Sequence, residues 1–323
     1  MTGTTTKGMT STDAKIAVVG GGSFGWGLAH AAERAGREVL LWSRRPQREG
    51  TAKIRLVGSL AELARAELVF FAVPSPVMPG LARELGAHLD GAHYLVHVSR
   101  GIIGDELQTL SQVLRTCTPC RRVGALAGPL VAQALAEGAP GGGVVASRFP
   151  EVHTAVREAI GGQQLRIYST DDLIGAEFAS TGVGLLAMAV GFAQGVGLGP
   201  ATLAVMASRG MSECTRIGVA LGGRSETFTG LSGYGDLLAA VAGDGRPELA
   251  VGRQLAAGTP LAEVGQQVGA YIEGLDSARR IAAYARRTGT RAPLLSMCAE
   301  VFAGRMSSAE VMTALMGRQV GAE

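Results

Sequence analysis

Gly20-Gly21-Gly22-Ser23-Phe24-Gly25 places glycine at the three fixed positions of a G-x-G-x-x-G turn. That turn suits a dinucleotide. The first glycine permits a sharp bend, the second lets the backbone approach a pyrophosphate, and the third allows a helix to pack closely on a strand. The phosphates then sit at the helix N-terminus. The same residues would also fit an ordinary glycine-rich connection, so their context decides. Lys15–Gly20 (KIAVVG) reads as a strand and Phe24–Ala35 as a helix, which favours the dinucleotide. The next strand ends in Leu41-Trp42-Ser43-Arg44-Arg45-Pro46, with no acid to hold a ribose 2′-hydroxyl. Arg44 and Arg45 are either solvated loop charges or partners for a 2′-phosphate. The expected cofactor is therefore NADP(H), with NAD(H) also admitted. Val73-Pro74-Ser75-Pro76 closes a further strand and should lie beside the adenosine ribose and the nicotinamide.

Hydride transfer to a carbonyl needs an acid for the developing alkoxide, generally worth ~100- to 10,000-fold. A protonated imine needs less help, because hydride addition neutralises it. Lysine occurs only at positions 7, 15 and 53, asparagine is absent, and all five histidines lie in the first half. Candidate groups in the second half are Asp236, Tyr234, Glu177, Glu273 and Thr181; His97 and Ser99 can reach the nicotinamide from the first. Asp236 answers equally to a helix N-cap. Tyr234 sits in a glycine-flanked loop, His97 answers also to a hydrogen-bonded strand histidine, and Thr181 to a bond within its own helix. Cys117-Thr118-Pro119-Cys120 has no second pair at metal spacing, since Cys214 and Cys298 stand alone, so no metal site is expected.

These groups are carried on 323 residues, 47% hydrophobic, with mean hydropathy +0.23 and net charge +3. Such a chain is too apolar and too weakly charged for disorder, and its charge gives no case for nucleic-acid or membrane-surface binding. Four cysteines are no disulfide framework, so a reducing cytoplasm is expected. Residues 1–13 read as a loose tail. The stretch from Phe178 to Ser208 is uncharged and long enough to span a bilayer. Gln194, Pro200 and the Gly195–Gly199 run divide it, which favours a buried helical hairpin in a soluble protein.

Strands are expected at Lys15–Gly20, Glu38–Trp42, Leu68–Val73 and His93–Val98, with weaker ones at Arg122–Ala127 and Gly143–Ala146. Helices are expected between them at Ser59–Ala66, Val77–Leu89, Asp105–Leu114, Val131–Ala136 and Glu151–Ile160. Uncharged strands spaced by helices indicate an α/β domain of the Rossmann type, with a doubly wound parallel sheet buried on both faces, over residues 14–170. Asp171-Asp172 marks a helix start, and residues 171–323 are expected to form an all-α domain.

In order along the chain, KIAVVGGGSFGWGLA, EVLLWSRRP, VFFAVPSPVM, SRGI, ALAGPLVA, IYSTDDLIGAEF, GLSGYGDLLAAV, IEGLDSA and ALMGR resemble segments of the NAD(P)-dependent glycerol-3-phosphate dehydrogenase family. The resemblance spans residues 15–318. It implies a homodimer with a helical substrate and dimerisation domain, reducing dihydroxyacetone phosphate. It puts Ser23, Phe24, Ala132 and Glu273 at cofactor contacts and Asp236 near the substrate. The family's lysine–asparagine pair falls on Val183-Gly184, its second lysine on Arg100, and its Gly-Pro-Ser on Gly128-Pro129-Leu130. Its phosphate motif, Arg-Asn-Arg-Arg-Phe-Gly, falls roughly within Arg246-Pro247-Glu248-Leu249-Ala250-Val251-Gly252, where a glutamate would repel a phosphate. Arg100 keeps the cation of the second lysine and can hold an anion or the cofactor, but an arginine does not donate protons. The resulting expectation is an NADP(H)-dependent oxidoreductase diverged to a small carbonyl or imine, as in specialised biosynthesis. Two alternatives stand beside it: a genuine glycerol-3-phosphate dehydrogenase with a substitute acid, and a catalytically silent NADP(H)-binding regulatory protein.

Overall fold

Short strands, uncharged except at the two edges, build one eight-stranded sheet in the computed structural model, which describes residues 16–46, 48–243, 246–268, 271–306, 310–311 and 313. The tail expected at residues 1–13 and the ALMGR segment lie outside the described residues. The strands are β1 (Ile16–Val19), β2 (Val39–Trp42), β3 (Ile54–Val57), β4 (Leu68–Phe71), β5 (Tyr94–His97), β6 (Val123–Ala127), β7 (Gly141–Ala146) and β8 (Leu165–Thr170). Their order is β3-β2-β1-β4-β5-β6-β7-β8. The first six reproduce the 3-2-1-4-5-6 order of a dinucleotide-binding sheet, whose ligand crevice opens where the order reverses, between β1 and β4. Val19 pairs with Trp42 on one side and Phe71 on the other, so the strands end level at that crevice.

Three differences from the expected pattern have local causes. β7 runs antiparallel to β6, so the sheet is mostly rather than wholly parallel. β3 and β8 are the two edge strands, and their solvent-facing Arg55, Arg166 and Tyr168 interrupt the apolar run by which a buried strand is recognised. The helix expected from Asp105 begins at Leu110, because Thr109 and Gln112 form a reciprocal capping box there. The 60–65 segment is a 3₁₀ turn.

Thr170 ends the sheet, and the Asp172 carboxylate caps the next helix by accepting from the Gly175 N–H at 3.0 Å. That helix, Leu173–Gly195, is apolar all round and is the axis of the helical part. It is long and apolar enough to cross a membrane, yet 94% of its most apolar window is buried within the protein. Pro200–Ala220 folds back on it as the second arm of a hairpin, and Pro247–Ala256 crosses it at Gly191 and Gly252. A Cβ at either glycine would collide with backbone of the opposing helix, so this crossing requires glycine on both sides.

Candidate active site

The glycine-rich turn between β1 and the Ser23–Arg34 helix has the backbone geometry its spacing predicts. Gly20 has φ +117°, and a Cβ there would strike the Ala72 carbonyl. A Cβ at Gly25 would strike the Gly20 carbonyl, so this glycine seats the helix on the strand. Gly22 is the helix N-cap, carries no side chain to close it, and faces open space: a Cβ there meets nothing within 4 Å. Uncapped amides at a helix start, beside bare backbone, fit a pyrophosphate. They open into a cleft of about 710 Å³ whose walls include Gly22, Ser23, Phe24, Pro74, Arg100, Ala132 and Glu273. The structure thus brings most of the expected cofactor contacts into one space. Ser43 packs behind the turn, 2.7 Å from where a Gly21 Cβ would lie.

Arg44 and Arg45 are exposed and outside the cleft wall, whereas Arg48, three residues on, lines it. Its guanidinium lies 5.9 Å from the ring centroid of Trp26, another wall residue. Sequence reasoning missed Arg48 because its partner is 22 residues away on the far side of the turn.

The deep end of the cleft is a knot of charge. Asp236 is fully buried at the first residue of the Asp236–Val241 helix, but its side chain makes no capping bond. It accepts instead from Arg100 Nη1 at 2.5 Å and from Arg246 Nη2. Arg100 and Arg246 both face the cleft, with Leu130 and Glu248 beside them. Burial disfavours the Arg100 charge, but Asp236 and Glu248 outweigh it and hold the guanidinium's pKa above its usual value. Burial and the neighbouring Arg100 lower that of Arg246.

Of the other expected catalytic groups, Ser99 and Glu273 also line the cleft, Ser99 donating to the Val73 carbonyl at 2.6 Å, whereas Tyr234, Thr181, His97 and Glu177 are outside its wall. The Tyr234 hydroxyl donates to Ser208, because the 231–235 segment winds as a π-helical turn that carries the ring away from the cleft. Thr181 donates to the Glu177 carbonyl within its own helix, at 3.0 Å. His97 is buried at the end of β5, where its Nε2 lies 2.7 Å from Glu177 Oε1. Glu177 also accepts from the Ser111 amide and hydroxyl, so this network joins sheet to helices beneath the cleft. A second tie runs through Glu273, which accepts from the Ser75 amide at 2.7 Å and from its hydroxyl. Burial pushes the Glu273 carboxyl above its usual range, against the two Ser75 bonds.

Residues 15–57 and 51–153 match the family described as NAD-dependent glycerol-3-phosphate dehydrogenase N-terminus, and residues 172–313 match the corresponding C-terminus. The chain belongs to that family. It is 33% identical to the glycerol-3-phosphate dehydrogenase [NAD(P)+] of Parvibaculum lavamentivorans, over 98% of this chain and 100% of the relative. The enzyme of the same name from Variovorax paradoxus is 35% identical, over 94% and 97%. The crystal structure of glycerol-3-phosphate dehydrogenase from Coxiella burnetii superposes with a TM-score of 0.88 at 25% identity, covering 95% of this chain and all of that one.

Family membership makes the chain an NAD(P)-dependent oxidoreductase and sharpens two positions. Val183 and Gly184, where the resemblance implies lysine and asparagine, lie on the buried axial helix, and a Cβ at Gly184 would come within 3.8 Å of Glu248 Oε1. Arg48 is an exposed cation on the cleft wall, in place of the Arg44 and Arg45 that the sequence offered for a 2′-phosphate. Arg48→Ala is expected to weaken NADPH about tenfold while leaving NADH nearly unchanged. Titration calorimetry with both cofactors measures this, and equal losses would remove Arg48 from phosphate recognition.

Proposed function

We propose that this protein is an NADP(H)-preferring oxidoreductase, admitting NAD(H), whose substrate is a small carbonyl or imine rather than a triose phosphate. The reading rests on the charge knot. Arg100 and Arg246, the cations best placed to hold a substrate phosphate, are both engaged by Asp236, and Glu248 on the same wall is close enough to act on both charges. Two guanidiniums against two carboxylates leave no net positive charge for a phosphate dianion. The absence of asparagine anywhere and of lysine beyond Lys53 adds to this, since the family's lysine–asparagine pair cannot be present. Family resemblance further supports a soluble cytoplasmic homodimer acting on a small molecule, without nucleic-acid or membrane partners.

When bound, the reduced nicotinamide supplies a hydride. The chain's residues do the rest. Gly22 and the start of the Ser23–Arg34 helix hold the pyrophosphate. Leu130 gives the reaction space an apolar wall that excludes water. Asp236 fixes Arg100 and Arg246 so that their remaining N–H groups meet the substrate in one orientation. Proton delivery from Asp236 itself is disfavoured by geometry, because both its oxygens already accept guanidinium bonds.

The test is NADPH oxidation by the purified protein with dihydroxyacetone phosphate and a panel of ketones and cyclic imines, cofactor binding being followed in the same preparation. Turnover of a panel member without the triose phosphate is the expected result. Efficient reduction of the triose phosphate would overturn the reading in favour of a true glycerol-3-phosphate dehydrogenase. Binding with no turnover of anything would leave a silent nucleotide-binding protein.

A further inference from the structure

Two buried polar atoms at the deep end of the cleft lack a hydrogen-bond partner among the described residues: Arg246 Nε, a donor, and Glu248 Oε2, an acceptor. They stand two residues apart, at the N-cap and the second residue of the Pro247–Ala256 helix, and both side chains line the cleft. A buried donor or acceptor is ordinarily satisfied, so an unmatched pair in a binding cleft calls for a ligand that completes both.

The pair specifies that ligand's chemistry. An ionised glutamate only accepts, so it requires an N–H or O–H; a guanidinium only donates, so it requires an anion or a carbonyl. The four charges of the knot already balance. A phosphate dianion would face Glu248 and leave the cluster net negative, and a simple ammonium would leave Arg246 Nε unmatched. A molecule carrying a cationic N–H and a carboxylate satisfies both atoms and leaves the balance unchanged. Leu130 offers an apolar wall for its carbon skeleton.

We propose that the cleft takes a zwitterionic α-imino acid, its iminium N–H on Glu248 and its carboxylate on Arg246, and reduces it to the amino acid. This rests on the oxidoreductase reading above and names the substrate class within it. Hydride arriving at the iminium carbon forms a C–H bond and sends the C=N π pair to nitrogen, giving a neutral amine, while the reduced nicotinamide is oxidised by two electrons. No proton is needed in that step, and the amine takes one from solvent afterwards. A site for this reaction has no use for an acid in place of Val183.

Calorimetry of the protein saturated with NADP+ tests the assignment, using L-proline, L-pipecolate, the oxygen isostere tetrahydrofuran-2-carboxylate and glycerol 3-phosphate as probes. One of the two amino acids is expected to bind at least tenfold tighter than the isostere. In Glu248→Gln that preference should fall below threefold with NADP+ affinity retained. In the same mixture the bound amino acid should generate NADPH absorbance. Equal binding of amine and isostere, or no binding of either amino acid while NADP+ still binds, overturns this inference but not the oxidoreductase reading. Preferential binding of glycerol 3-phosphate overturns both.

Discussion

Asp236→Ala is expected to destabilise the protein by about 3–5 kcal/mol, the usual consequence of removing one partner from a buried ion pair. The melting temperature should fall by on the order of 10 °C. The side chain is completely buried and meets two guanidiniums, one from the loop after β5 and one from the N-cap of the Pro247–Ala256 helix. Its removal strands both charges in a region whose burial already disfavours them. Because Arg100 belongs to the sheet domain and Arg246 to the helices, the loss should loosen the junction between them. Adding Arg246→Met to Asp236→Ala should recover part of the loss, since one uncompensated charge is then gone. Scanning calorimetry of the two variants measures this. An unchanged melting temperature with abolished turnover would make Asp236 a catalytic group rather than a clamp.

That clamp marks where sequence reading stops. The glycine turn was legible because its spacing is local: three glycines between an apolar strand and an amphipathic helix fix both the bend and the close packing. The central strands were legible for a similar reason, since an uncharged run such as Leu68–Phe71 has few other places to go. β3 and β8 were not, because an edge strand shows solvent one face and breaks the run. Nor does an apolar run carry direction, which is why β7 was expected parallel. The capping box at Thr109 and Gln112 was present in the sequence and would have corrected the helix start. The pairing of Asp236 with Arg100 joins residues 136 positions apart and leaves no periodic trace. Tyr234, a candidate in its glycine-flanked loop, gives its hydroxyl to Ser208, and no feature of Gly233-Tyr234-Gly235 announces the π-helical turn that carries it.

Gly22 and Gly25 should respond to the same substitution in opposite ways. Gly22 has φ −74°, ψ 177°, a conformation any residue adopts, and a Cβ there meets nothing. Gly22→Val should therefore fold with nearly the wild-type melting temperature. Its side chain would occupy the space into which the helix N-terminus opens, so NADPH affinity should fall by about 100-fold, equivalent to roughly 2.7 kcal/mol of lost contact with the pyrophosphate. Gly25 has no such room, because its Cβ would press on the Gly20 carbonyl with Val18 behind it. In Gly25→Val the helix must lift off β1, and both stability and cofactor binding should be lost together. Thermal melts with and without NADPH separate the two. A cofactor-induced shift retained in Gly22→Val would mean that the pyrophosphate lies elsewhere, and the turn would then be no more than a close strand–helix connection.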